Sequence, residues 1–420
     1  MNVGVGLAPD RLYTARFFQV CAAVTVFMTG VALQFHFGQY VEFLGHGVDT
    51  LGRVLSASMI GTLAIRLRIG RWIDRFGCRP VWLVGTALVA AAVGSMQLTS
   101  SLGAIVVLRM LTTMATAAVM TTVAVFAAQI APPTRRAESI GTIGLAGFFG
   151  MMVGPALGDW IFAIDPSSST PYRIFFSVSA ACSLLAGAVM LWPVPSGRIS
   201  QGAASEGSVL SGGRGRAAQW RVIVRHWPGT VFLVGVVFAM AFCVQSLYLE
   251  RVADLRGFRD IKVFFFVYAP AAMALRILFR RLPERLGRTR TLLLGLMLMS
   301  AGLLALAPVH SQSGLVIPAA LMGSGHCFVF PSMVDLATYR FPAEHRGTGT
   351  SLILSAGDVG TLLGFALLGE FIESWGVNVA LVALATLVLL GGGVFAIARR
   401  TALRRPLRGV RHEPTAMLPP

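Results

Sequence analysis

The sequence predicts an all-α membrane protein, with twelve transmembrane helices arranged as two six-helix repeats. Three observations carry that expectation. Hydrophobic residues make up 55% of the 420-residue chain and charged residues only 13%, about half the charged share of a soluble domain. Apolar runs of about 20 residues, the length that crosses a bilayer as a helix, recur from end to end. The two halves also match each other at a constant shift of 210 residues.

A backbone inside lipid has no water to bond to, so each crossing must satisfy its own hydrogen bonds as a helix. The apolar runs lie near residues 17–37, 51–69, 80–99, 102–127, 138–163 and 172–192, then near 228–249, 261–279, 291–308, 314–338, 348–371 and 376–398. Between the two sets, residues 195–226 are rich in glycine, serine and arginine and read as a flexible linker. The chain thus divides into an N-terminal six-helix bundle (1–194), the linker (195–226), a C-terminal six-helix bundle (227–398) and a basic tail (399–420). The first apolar run is longer than a signal core and no small-residue cleavage site follows it, so no cleavable leader is expected.

A net charge of +17 would suit a nucleic-acid binder, but the basic residues are dispersed over many short loops. Their placement obeys topology instead. Arg11 and Arg16 precede the first span, Arg71, Arg75 and Arg79 follow the second, and Arg135 and Arg136 follow the fourth. The linker, the segment 280–290, Arg340, Arg346 and the tail continue the series, whereas the alternate loops hold only Arg53, Arg173, Arg251, Arg256, Arg259 and Lys262. By the positive-inside rule, both termini and the linker are expected in the cytoplasm. Arginine-rich, lysine-poor usage is associated with bacteria, which makes a bacterial inner membrane the expected location. Cys21, Cys182, Cys243 and Cys327 fall in spans and Cys78 in a loop, with no metal-ligand spacing and no disulfide framework. No metal or cofactor is expected. Without a phosphate loop or a nucleophile–base set, neither an enzyme nor direct use of ATP is expected.

The internal match aligns chemically unusual residues without a gap. Arg66 falls on Arg276, Arg71 on Arg281, Asp74 on Glu284, Arg75 on Arg285 and Gly77 on Gly287. Pro132 then falls on Pro342, Arg136 on Arg346, and Gly147, Gly150 and Gly154 on Gly357, Gly360 and Gly364. Parallel repeats of this kind mark transporter architectures. The loop GRWIDRFGCRP (Gly70–Pro80) resembles the signature G-x-x-x-D-R-x-G-R-[KR] of the major facilitator superfamily, through Gly70, Asp74, Arg75, Gly77 and Arg79. Cys78 replaces one basic residue, and the second copy keeps Glu284, Arg285, Gly287 and Arg288. The resemblance covers essentially the whole chain. It implies a loop that latches the two halves together on the cytoplasmic side and is made and broken as the transporter alternates.

The stretch GTIGLAGFFGMMVGPALGDW (Gly141–Trp160) places six glycines and a proline in an apolar span. It resembles the span-5 signature of proton-driven efflux members, G-x8-G-x3-G-P-x2-G-G, through Gly141, Gly150, Gly154, Pro155 and Gly158, with Asp159 in place of the last glycine. Spaced this way, the glycines form one smooth helix face of the kind that lets helices approach closely in a membrane. Pro155 removes one backbone hydrogen bond and is expected to bend the helix. The resemblance implies that spans 5 and 8, and 2 and 11, pack across the interface between halves.

Ionisable residues inside a membrane are costly and mark transport paths. Asp358, about ten residues into span 11, is the candidate for proton coupling, since desolvation favours the neutral acid and suits reversible protonation. Its alternative role is a structural hydrogen bond between the halves. Asp159 and Asp335 sit nearer span ends, where hydration explains them, and Arg66 and Arg276 read as structural or snorkelling residues. Arg109 resembles the single span-4 arginine of efflux members, although Thr113 and Ala117 depart from the glycines that follow it there. The resemblance places spans 1, 4, 7 and 10 around a central path, which makes Gln34, His36, Arg109, Gln245, Tyr248, His326 and Phe330 candidate cavity residues.

The sequence therefore points to a secondary active transporter, working as a monomer by alternating access and exporting a small organic solute against proton influx. Its partners would be that solute, protons and the surrounding lipid. Uptake or facilitated movement of a sugar-like or acidic metabolite by the same fold remains the alternative, and a non-transporting sensor a remote one. The charge placement predicts that cysteines introduced at Ser200 and Met417 stay unmodified by an impermeant reagent in intact cells. Ready labelling of either would reverse the topology.

Overall fold

The computed structural model describes residues 12–131, 135–164, 168–193, 216–258, 260–279, 282–342 and 345–404. Twelve long helices follow one another: α1 (Ala15–Phe43), α2 (Val48–Phe76), α3 (Cys78–Met96), α4 (Leu102–Ile130), α5 (Arg136–Phe162) and α6 (Thr170–Leu191). The second set is α7 (Thr230–Asp254), α8 (Lys262–Leu278), α9 (Arg288–Leu306), α10 (Ser313–Thr338), α11 (Arg346–Trp375) and α12 (Val377–Arg404). Among the described residues, eleven of these are long and apolar enough to cross a membrane. The exception is α8, whose 17 residues rise about 25 Å against a hydrocarbon core of about 30 Å. The expected linker lies outside the described residues up to 215 and then contains a short helix, Arg216–Arg225; the tail beyond 404 lies outside them as well.

The helix ends follow local chemistry. Thr14 caps α1, its hydroxyl oxygen accepting the Phe17 N–H at 3.2 Å. Gly77, at φ +82°, turns α2 into α3, and its repeat partner Gly287, also at φ +82°, precedes α9. Only glycine takes that left-handed region at low cost. Carbonyls left open at helix C-termini attract cations: Arg79 donates to the Met190 and Leu191 carbonyls that end α6, and Arg256 to those of Leu306, Ala307 and Val309 after α9. Large apolar side chains such as Leu98, Leu185, Ile317 and Leu390 are exposed on the outside of the bundle, as lipid-facing positions are.

The halves meet where the resemblance implied, α2 against α11 and α5 against α8. The closest approach of the first pair lies at the start of α2 and the end of α11. A Cβ on Gly52 would stand 2.6 Å from the Phe365 carbonyl and one on Gly369 2.7 Å from the Val48 carbonyl. This end of the bundle, opposite the Gly77 and Gly287 turns, is called the far side below.

The glycine face of α5 is only partly turned to α8. Gly141 and Gly144 lie near Arg276 of α8, but Gly150 and Gly154 seat α5 on α1 within the same half. A Cβ at Gly154 would stand 2.6 Å from both the Leu33 nitrogen and the Thr29 carbonyl oxygen, and one at Gly150 2.6 Å from the Thr25 carbonyl oxygen. α5 runs as one helix through Pro155. Because backbone blocks the space, Gly154→Ala is expected to destabilise the protein by about 1–3 kcal/mol. Gly147→Ala meets nothing nearer than Met28 Cγ at 3.9 Å and should change stability by about 0.5 kcal/mol or less. Thermal midpoints of the two variants in detergent compare them; equal midpoints would contradict the close seating of α5 on α1.

Candidate functional site

The first helix of each half loses its regular winding at the same register of the repeat. In α1, Gln34–His36 tighten into a 3-10 turn; in α7, Val244–Tyr248 widen into a π turn. Such interruptions in long helices accompany functional sites. Here the two turns touch each other across the interface, and polar side chains gather around them.

On the far side, His36 is fully buried and its Nε2 lies 2.8 Å from Oδ1 of Asp159 on α5. The other Asp159 oxygen accepts the backbone N–H of Lys262, at the start of α8, at 2.6 Å. Glu250 of α7 stands 3.8 Å from His36 Nε2 and is 2% exposed. Glycines make the room. A Cβ at Gly158 would fall 2.5 Å from His36 Cε1, and one at Gly38 would fall 3.5 Å from Glu250 Oε2. Outside this cluster, Arg251 of α7 donates to Glu42 of α1 at 2.9 Å. The far side is thus closed by contacts that cross from one half to the other.

Deeper in the bundle, Gln245 Nε2 donates to the Tyr268 hydroxyl at 2.7 Å, and that hydroxyl also pairs with Nδ1 of His326. Phe148, Phe238, Phe242 and Phe330 surround the imidazole at ring-centre distances of 5.2, 5.2, 5.4 and 6.1 Å. Polar groups in an aromatic surround are the usual lining of a site for a partly apolar solute. In the other half, Arg109 donates to Gln34 Oε1 at 2.8 Å and stacks over Phe37 at 4.4 Å, while its buried Nε has no partner. The candidate cavity residues therefore separate. Gln245, His326 and Phe330 assemble together, Gln34 and Arg109 pair with each other, and His36 joins the acids of the far side. Tyr248 is taken up by packing between α2 and α11, its hydroxyl donating to the Phe365 carbonyl at 2.9 Å.

The carboxylate of Asp358 does not stand alone in an apolar cavity. Arg66 of α2 binds it with two nitrogens, Nε to Oδ2 and Nη2 to Oδ1, the second at 3.0 Å. This fork-to-fork pair crosses the interface between halves, linking Arg66 of α2 to Asp358 of α11. Asp159 is likewise not hydrated at a helix end, as its sequence position suggested, because α7 and α8 close over it. Asp335 does sit at a half-exposed position, paired with Arg288 at 2.5 Å. Sequence reasoning passed over Tyr268 and Glu250; Glu250 looks like an ordinary charge at a span end until the π turn is seen to carry α7 on past it.

In the loop after α2, Gly77 makes the turn and Gly70 lies in the last turns of the helix, while Arg79 is held by the end of α6 in its own half. Arg75 is exposed and lies over the Phe76 ring at 5.2 Å. In the second copy Gly287 repeats the turn and Arg285 is exposed. The side chains of Asp74 and Glu284, on which a latch between halves would depend, lie outside the described residues.

Comparison with known proteins agrees with this architecture. The family model of the Major Facilitator Superfamily matches residues 17–282 and 258–419. An uncharacterized MFS-type transporter of Salmonella typhimurium is 26% identical over 322 residues, covering 74% of this chain and 77% of that protein. The multidrug resistance protein Stp of Mycobacterium tuberculosis is 24% identical over 380 residues, covering 78% of this chain and 70% of that one. Among solved structures, the nucleoside transporter NupG superposes with a TM-score of 0.72 at 10% identity, over 91% of this chain and 99% of that one. A bacterial homolog of the human lysosomal transporter Spinster, inward-facing and unoccupied, gives 0.69 at 14% identity, over 95% and 98%. Both likenesses concern the fold.

The ion pair between α2 and α11 sets a test. Arg66→Met or Asp358→Leu alone leaves a charge buried without its partner and should cost about 3 kcal/mol of stability. The double replacement Arg66→Met with Asp358→Leu removes both charges and should recover most of that loss. Unfolding midpoints of the three variants decide it, and losses that simply add would mean the two side chains act independently.

Proposed function

The chain belongs to the Major Facilitator Superfamily, and we propose that it exports a small, partly apolar organic solute in exchange for protons, by alternating access. The observation that carries the mechanism is the chemistry of the interface between halves. Beside close helix packing, polar and reversible contacts cross it, among them Arg66 to Asp358, Arg251 to Glu42, His36 to Glu250 and Asp159 to the Lys262 N–H. Two packings of the halves can therefore differ by exchange of hydrogen bonds and ion pairs, with each bundle left intact. The solute would bind against Gln245, Tyr268, His326 and the surrounding rings, with the far side shut and the side of the Gly77 turn facing the cytoplasm.

Export is supported by the glycine pattern of α5 and by the likeness to a protein named for multidrug resistance. At 24% identity to that relative, the solute is a matter for experiment. A second reading, movement of an acidic solute, is favoured by Arg109: a buried guanidinium without a carboxylate neighbour among the described residues suits an anion.

Proteoliposomes containing the purified chain, an imposed pH gradient and a panel of fluorescent organic cations and carboxylates test the proposal. At least one dye should accumulate only while the gradient stands and should be released by a protonophore. Counterflow that ignores the gradient would instead establish facilitated movement, and preference for the carboxylate dyes would favour the second reading.

A further inference from the structure

Among the described residues, Glu250 is buried with both of its carboxylate oxygens unpartnered. It is 2% exposed, and neither of its oxygens receives a hydrogen bond of normal geometry. Gln39 of α1 faces it without closing one. Nδ1 of His36, the nitrogen not used by Asp159, also has no partner. Buried polar atoms in folded proteins are nearly always paired, and the exceptions call for an explanation. The two unpaired oxygens of Glu250, facing the His36 ring from the opposite half, have a simple one: they wait for a proton.

The cations nearby do not compensate Glu250. The guanidinium of Arg251 goes to Glu42 of α1, and the ammonium of Lys262 goes to Asp260 at 2.8 Å. Among the described residues, the remaining charges that act on Glu250 are Asp254 on α7 and Asp159 on α5, both acidic. Only the His36 ring, among the described residues, lies within ion-pair reach of it. A cleft on the far side borders the cluster. Asp159 lines a cleft of about 930 Å³ between the halves, and Glu250 lines a smaller cavity of about 100 Å³ that shares Gln39, Glu42, Arg251 and Asp254 with it.

We infer that His36, Asp159 and Glu250 form a proton-binding site, loaded from water in the far-side cleft, and that this site rather than Asp358 holds the coupling proton. The second half of the inference rests on the proton-coupled reading above. Nε2 carries the hydrogen that it donates to Asp159 and Nδ1 is packed against Gly158, so the incoming proton goes to a Glu250 oxygen. One O–H bond forms, one bond of a hydronium breaks, and water is left in the cleft. His36 and Asp159 belong to one half, Glu250 and the Lys262 N–H to the other. Opening the far side separates them and wets both faces; closing it with Glu250 ionised buries a carboxylate without a donor. The loaded site therefore closes more readily than the empty one, which is how a proton biases the alternation.

The test uses the full-length protein reconstituted in lipid and infrared difference spectra between about pH 5 and pH 8, the range in which histidine-linked sites titrate. Wild type should gain the C=O stretch of a protonated carboxyl as pH falls. Glu250→Gln should lose it, Glu250→Asp should keep it at a shifted position, and Asp358→Asn should keep it unchanged. A band that survives in Glu250→Gln, or vanishes in Asp358→Asn, overturns the site. The same vesicles, loaded with ethidium under a pH gradient, address coupling separately. Glu250→Gln should reduce gradient-driven accumulation by about tenfold while leaving counterflow within about twofold of wild type. Full accumulation by that variant overturns its coupling role. A wild-type protein that accumulates nothing, yet shows the band, overturns the proton-coupled reading and leaves the proton site standing.

Discussion

Lipid offers a charged or polar side chain no partner, so each one brought into the bundle must find its match inside the protein. In this chain that constraint is met partly within each half, as where Arg109 meets Gln34, and partly across the interface between halves. Arg66 finds its carboxylate on the other half, Glu42 its guanidinium, and Asp159 its backbone donor. The six-helix bundles themselves are held by apolar packing and by side chains that cap neighbouring helices, such as Arg79 on α6 and Arg256 on α9. Stability within each half and reversibility between halves therefore come from different chemistry, and the second can change without disturbing the first.

Glycine works at two scales in the same design. At Gly77 and Gly287 it permits a left-handed turn in each copy of the repeat, which keeps two antiparallel helices tightly joined. At Gly154 and Gly158 it removes side chains where another helix must pass. At Gly158 the vacated volume is filled by the ring of His36, so a residue of the α5 signature serves the buried cluster by being absent. The signature proline, by contrast, leaves α5 continuous.

Much of this was legible in the sequence because lipid imposes strong rules. Apolar length located the twelve helices to within a few residues, except that α1, α2, α7 and α12 run five to seven residues further at their C-terminal ends, and the shift of 210 residues paired the halves. The site was less legible because its logic is pairwise. Asp358 stood out by depth, yet depth does not reveal that Arg66, some three hundred positions away in the chain, binds it. Glu250 and Asp159 sit at the ends of apolar runs, where a linear reading assigns them to water, and only the closing of α7 and α8 over α1 and α5 buries them. Tyr268 has no signal as a tyrosine in an apolar span; its partners Gln245 and His326 give it one.

The opposite windings in α1 and α7 have a consequence for the duplication itself. Overwinding one copy and underwinding the other shifts the angular phase of every residue that follows, so positions that are equivalent in sequence no longer point in equivalent directions. Tyr40 and Glu250 are such a pair. Tyr40 turns inward and donates to the Met96 and Thr99 carbonyls of its own half, while Glu250 faces His36 across the interface. A doubled gene yields two similar scaffolds, and one local change of pitch is enough to make them unequal partners, one supplying an anchor where the other supplies an ionisable group.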